Sequence, residues 1–113
     1  MPRTPVEVRL WNSRTSSPEK RIAYFTSLCV LKSGDILCGF QNGASKHSPN
    51  SKIGLCRSRD GGRTWTELPA PFEHLIGGIP GSLSGAELVE ASPGRLLLFA
   101  TWFDRTDPAR PLF

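Results

Sequence analysis

Apolar and polar positions fall into segments of strand length, each closed by Gly, Pro, Ser or Asn. VEVRLW (residues 6–11) alternates, and IAYFTSLCVL (22–31) is rich in β-branched and aromatic side chains. After KSG come DILCGF (35–40), KIGLCRS (52–58) and TWTEL (64–68). Farther on, AELVEA and RLLLFATWF flank the turn SPG. Short β-branched and aromatic runs bounded by turn residues are strand signals. No segment sustains a 3.6-residue apolar period; GAELVEA comes nearest, and Pro93 ends it. The pattern predicts an all-β chain.

Two segments repeat. Superposing Gly34 on Gly94 offsets the chain by 60 residues and aligns LCVLKSGDILC (28–38) with LVEASPGRLLL (88–98). Each copy reads as a hairpin turning at a glycine, which supplies the positive φ that closes a three-residue loop with a bulge. With that loop Cys29 faces Leu37; a two-residue loop would set it against Cys38. The first copy continues into a four-stranded meander over residues 22–31, 35–42, 53–58 and 64–68, whereas the second supplies two strands. A repeat of this length built from short antiparallel strands is the signature of a β-propeller. The expected organisation is one blade over about 20–70 and the start of a second over about 83–113. One and a half blades leave sheet edges unpaired, so the expectation is an N-terminal part of a larger propeller.

Composition narrows the class. The 113 residues, with 38% hydrophobic and 21% charged, suit one globular domain and fit neither a disordered nor a membrane chain. Ten Pro and eleven Gly agree with many turns. The net charge of +4 comes from scattered basic residues with no aromatic interleaving, which argues against nucleic acid. No apolar stretch suits a signal peptide or a membrane span, so the chain reads as cytoplasmic and not membrane-bound. Three cysteines argue against a disulfide framework and read as buried, unreactive thiols. No cofactor or metal is expected.

The most specific stretch is SRDGGRTW. Ser58, Asp60, Gly62, Thr64 and Trp65 fit the pattern Ser-x-Asp-x-Gly-x-Thr-Trp. It resembles the Asp-box, or bacterial neuraminidase repeat, of sialidases and related propellers. KIGLCRS resembles the strand leading into such a box, and SLCVLKSGDILCGFQNG the family's opening hairpin. Physically, Ser and Asp side chains bond back to nearby N–H groups, the glycines allow left-handed backbone, and Trp65 buries its ring with an acceptor for its N–H. The motif is therefore expected to fasten a turn, and the resemblance likewise places it away from the catalytic face.

The resemblance implies a six-bladed propeller and a retaining exo-sialidase chemistry acting on terminal sugars of glycans. Its functional set is three arginines on the sugar carboxylate, an Asp acid/base, and a Tyr nucleophile paired with a Glu. The first arginine normally stands four residues before the leucine matching Leu28, where this chain has Tyr24. Arg21 is three residues earlier, and a shift by three turns a strand side chain to the other face. The acid/base Asp normally lies in the loop after the second strand; here that loop, residues 41–52, holds no Asp or Glu. His47 is its proton-transferring candidate. Trp102, Asp104 and Arg105, at the end of an apolar strand, suit sugar stacking and hydroxyl recognition, against the alternative of a solvated exit loop with local Asp–Arg pairs. Two functions stay open: a sialidase-like hydrolase, inactive as this chain alone, or a non-catalytic propeller binding glycans or proteins through its loops.

Overall fold

The computed structural model describes residues 7–12, 14–45, 48, 50–69, 72–107 and 109–110. It is all-β, with two antiparallel sheets among the described residues. Sheet 1 runs in the order β1 (Ile22–Val30), β2 (Ile36–Gly43), β3 (Lys52–Ser58), β4 (Thr66–Leu68). Sheet 2 runs β5 (Leu75–Ile76), β6 (Ile79–Ser92), β7 (Arg95–Asp104). The meander expected over residues 22–68 is sheet 1, and the strands flanking SPG are β6 and β7.

The β1–β2 hairpin has the three-residue loop. Val30 pairs with Ile36 and Cys29 with Leu37. The Leu31 N–H donates to Asp35 O at 2.8 Å, and Gly34 adopts φ 93°. In β6–β7 the equivalent pairs, Glu90 with Leu96 and Val89 with Leu97, hold the same offset of 60, although Ser92 and Arg95 close this hairpin two residues apart. Pro93 accounts for the difference: its fixed φ and a Gly94 at φ 79° make a two-residue turn, and a register shift between Glu90 and Ser92 absorbs the extra residue.

The equivalence extends further down the strands. Register shifts between Tyr24 and Ser27 in β1, and between Ser84 and Glu87 in β6, which is the same place in each copy. At its centre stand Phe25 with φ 54° and Gly85 with φ 75°. The two hairpins share register, bulge and backbone handedness.

Strand alternation gives each sheet two faces. The front face of sheet 1 carries Leu28, Cys38 and Phe40; its back face carries Cys29, Leu37 and Gly39. By the repeat, the front of sheet 2 carries Leu88 and Leu98, and its back carries Val89, Leu97 and Phe99. Sheet 2 lays its front on the back of sheet 1: Leu88 is buried with Leu31 and Leu37, and Cys29, Leu55, Leu68 and Leu98 pack around them. Gly39 makes the close approach possible, since a Cβ there would sit 3.2 Å from Leu88 Cδ1 and 3.3 Å from Ala86 Cβ. A second cluster, Ile53, Leu83 and Ala86, extends the same interface. Burying three such aliphatic side chains contributes on the order of 5 kcal/mol before entropy. Hydrogen bonds cross the seam, among them Lys32 N–H to Glu90 Oε1 at 2.8 Å and Leu88 N–H to Ser27 Oγ at 3.3 Å. β2, flanked on both sides, is buried over seven of its eight residues.

The expected strand at residues 6–11 does not form over its described part, 7–11; Val6 lies outside the described residues. Leu10 and Trp11 pack onto the front of sheet 1, over Cys38, Phe40 and Cys56. The Trp11 and Phe40 ring centroids are 5.1 Å apart, and Trp11 Nε1–H donates to Lys20 O at 3.0 Å. The segment lies on a sheet face instead of extending a sheet edge, and it packs through the adjacent pair Leu10 and Trp11 while Val8 is exposed.

One hairpin escaped the sequence reading. Ile76 pairs with Ile79 across Gly77 and Gly78, both left-handed at φ 58° and 79°. Positive φ at both central residues is the turn geometry favoured in two-residue hairpins. LIGGIP carried that signal.

Candidate functional site

Sheet 1 has two chemically different ends. Ser58 pairs with Ile36 at the end bearing the β1–β2 loop, while Lys52 pairs with Asn42 at the other. The SRDGGRTW turn therefore shares the hairpin end, opposite the loop that follows β2. Its side chains bond to one another. Fully buried Ser58 donates from Oγ to Asp60 Oδ1 at 2.9 Å and accepts from the Gly62 N–H at 2.8 Å. Asp60 accepts from the N–H and hydroxyl of Thr64 at 2.8 and 2.5 Å. Trp65 Nε1–H donates to Gly62 O at 2.9 Å, and its ring packs toward Cys38, Phe40 and Cys56. Gly61 and Gly62 take φ 75° and 91°, which a side chain would resist. The hydrogen bonds from Thr64 hold the Asp60 carboxyl down at about 2. A carboxylate so occupied is a poor proton donor at neutral pH.

The opposite, loop end carries the remaining candidates. Arg21 is exposed just before β1. Asn42 fastens the strand start by donating from Nδ2 to Lys20 O and Ile22 O at 2.8 and 2.9 Å. Tyr24 donates to Ser45 O at 3.2 Å and accepts from Gln41 Nε2 at 2.9 Å; burial pushes its phenol up. His47 lies outside the described residues. Ser48 and Ser51, both buried, dock the loop onto β6: Leu83 N–H donates to Ser51 O at 2.9 Å and Ser82 Oγ to Ser48 O at 3.1 Å.

That docking brings the end of β7 to the same side. Trp102 packs against Gly81, where any Cβ would collide with the indole, and donates from Nε1 to His74 O at 2.9 Å. Arg105 is buried, its N–H bonded to Pro80 O at 2.8 Å and its Nη1 to Arg110 O at 2.8 Å. Asp104 is exposed and bonds Thr106 through its N–H and hydroxyl, which lower its carboxyl. Among the three, Asp104 is the exposed residue, Trp102 is half-buried and Arg105 is buried. Trp102 and Arg105 shape the end of sheet 2 from within.

Sequence reasoning missed a cleft between the first full strands of the two sheets. An open cavity of about 470 Å3 is lined by the paired bulges, with Phe25, Ser27, Ser84, Gly85, Glu87 and Thr101 around it. Phe25 presents its ring, about half exposed, and contacts Tyr24 at 5.0 Å between centroids. Glu87 is exposed at the other wall. An aromatic ring opposite hydroxyls and a carboxylate offers one stacking surface and several hydrogen-bond partners. The signal was the 60-residue offset itself, which aligns Phe25 with Gly85.

Among the described residues no group of three or more His, Cys, Asp or Glu is arranged to hold a metal ion. Nor, among them, is any helix long and apolar enough to cross a membrane. No family model matches the chain, and comparisons with curated proteins and with solved structures give no match.

Proposed function

We propose that this chain is part of a sialidase-like β-propeller that handles terminal sugars of glycans, with the sugar entering at the loop end and along the cleft between β1 and β6. The observation that carries the reading is the Ser58–Trp65 turn. Its five motif residues form a closed set of hydrogen bonds at the end of the sheet away from the loops. Such a turn leaves the loop end free for ligand chemistry. In this reading Arg21 meets a sugar carboxylate, for which a planar guanidinium is suited. Phe25 stacks on the ring, and Glu87 with Ser84 takes hydroxyl groups.

A second reading is a non-catalytic glycan-binding module. It is favoured by the absence of Asp and Glu from residues 41–52, where the acid/base would stand. Both readings expect no turnover by this chain alone. They part on Arg21. A sialoside and a neutral galactoside titrated by calorimetry should both bind if the cleft alone recognises sugar, and Arg21→Ala should then change neither. If the sialidase-like arrangement holds, Arg21→Ala weakens the sialoside by roughly tenfold and spares the galactoside. Turnover of a fluorogenic sialoside by the chain would overturn its incompleteness as an enzyme, and no saturable binding of either sugar would overturn the sugar reading.

A further inference from the structure

The stacking of sheet 2 on sheet 1 uses one front and one back face, and leaves one of each. The free back face is that of sheet 2. Val89 and Leu97, a cross-strand pair, are 47% and 40% exposed, and Phe99 beside them is 58% exposed. Their counterparts in sheet 1, Cys29, Leu37 and Gly39, are the residues that sheet 2 covers. The β7 sequence LLLFA is apolar on successive residues, the pattern of a strand covered on both faces. Among the described residues only one face is covered.

The free front face is the β1 margin of sheet 1. Leu28 and Val30 are 65% and 69% exposed. The counterpart of Leu28 is Leu88, the buried residue of the established interface. Leu10 and Trp11 cover the rest of that front, over Phe40 and Cys56, and leave the margin open. Contiguous exposed apolar surface of this kind marks an interaction site. The contact already present inside the molecule specifies its complement: a back face of this type takes a front face of this type.

We propose that copies of this chain associate head to tail, the Val89–Leu97–Phe99 face of one copy receiving the Leu28–Val30 face of the next. Phe99 stands where sheet 1 has Gly39, so its ring supplies the contact that close backbone approach supplies within the molecule. The contact is heterologous, since different surfaces meet. Such contacts close into rings where the rotation allows and otherwise extend. Two sheets per copy, added in series, give four, six or eight sheets, within the size range of closed propellers. The inference rests on the repeat and is independent of the sugar chemistry.

Sedimentation velocity of the chain over a range from micromolar to hundreds of micromolar tests this, with two single variants, Phe99→Asp and Leu28→Asp. Both positions are exposed, and far-UV circular dichroism should show both variants folded; Leu97→Lys and Val30→Lys serve if either is not. The unaltered chain should rise to at least twice the monomer mass. Each variant alone should stay monomeric, and an equimolar mixture should form a dimer and stop, because one intact face of each kind remains. A chain that stays monomeric throughout overturns the proposal and leaves the faces for sheets of a longer chain, without touching the sugar reading. Self-association of either variant alone, or no association in the mixture, overturns the head-to-tail geometry.

Discussion

Phe25 and Gly85 hold the same left-handed bulge position in two hairpins, sixty residues apart, with φ of 54° and 75°. Two bulges in register are a structural repeat at a level the side chains alone do not show, since a phenylalanine and a glycine share no chemistry. What they share is a backbone kink that turns each first strand and opens the cleft between them. Left-handed φ costs a non-glycine residue roughly 1–2 kcal/mol. Phe25 holds it because strand pairing on both sides of the bulge fixes the backbone.

This sets opposite expectations for the two sites. Gly85→Ala should destabilise by about 1 kcal/mol in urea unfolding although nothing lies within 4 Å of the added Cβ, because the cost is conformational. Phe25→Gly should be neutral or stabilising, and Phe25→Val should cost more than Phe25→Ala. A Gly85→Ala change without effect would place the strain elsewhere.

The asymmetry of the stacked sheets should appear in a matched pair of truncations. Leu88→Ala removes a buried side chain from the seam and should cost about 2–4 kcal/mol. Leu28→Ala, the same position in the other copy, should cost under about 1 kcal/mol at dilute concentration, where its side chain faces water. Equal costs would contradict the front-to-back packing.

The Ser58–Trp65 turn should contribute to acid stability. Folding lowers the Asp60 carboxyl from 3.8 to about 2, first through the Thr64 hydroxyl and then its N–H. Its contribution is therefore complete above pH 4 and lost as pH falls toward 2. Thermal unfolding from pH 5 to pH 2 should show a steeper loss for the unaltered chain than for Asp60→Asn. Asp104 and Glu19, also lowered on folding, act in the same direction and stay in both proteins. Parallel curves would show that the turn does not hold the ionised form.

Cysteine reactivity should separate the three thiols. Cys38 and Cys56 stand directly opposite on β2 and β3, both buried, and burial pushes the Cys56 thiol to about 11 and Cys38 upward. A thiolate-specific reagent at pH 8 should label Cys29 first and reach the other two on unfolding. Fast labelling of Cys56 in the native protein would argue against its place under Trp11.

Much of this was legible in the chain. Gly34 and Gly94 fixed where the hairpins turn, and the choice of a three-residue loop put Cys29 opposite Leu37, as observed. The side-chain hydrogen bonds of Ser58, Asp60 and Trp65 follow from their chemistry at that spacing. Other features depend on tertiary contact. Ser48 and Ser51 look like loop residues of no consequence, yet they are buried and carry the loop onto β6. Trp102 and Arg105 read as ligand-facing, and their orientation is set by Gly81 and Pro80, partners some twenty residues away in sequence. At residues 7–11 the adjacent Leu10 and Trp11 pack while Val8 is exposed, so the alternation did not report the packing, and period alone does not distinguish a paired strand from a segment laid across a sheet.

Which face of sheet 2 meets sheet 1 decides the packing of the molecule. Methyl-resolved nuclear Overhauser spectra of the dilute protein read this directly. The structure predicts cross-peaks between Leu88 and Leu37, with none from Val89 or Leu97 to Leu37. Cross-peaks from Val89 and Leu97 to Leu37, with Leu88 silent, would reverse the stacking and remove the basis for the head-to-tail association.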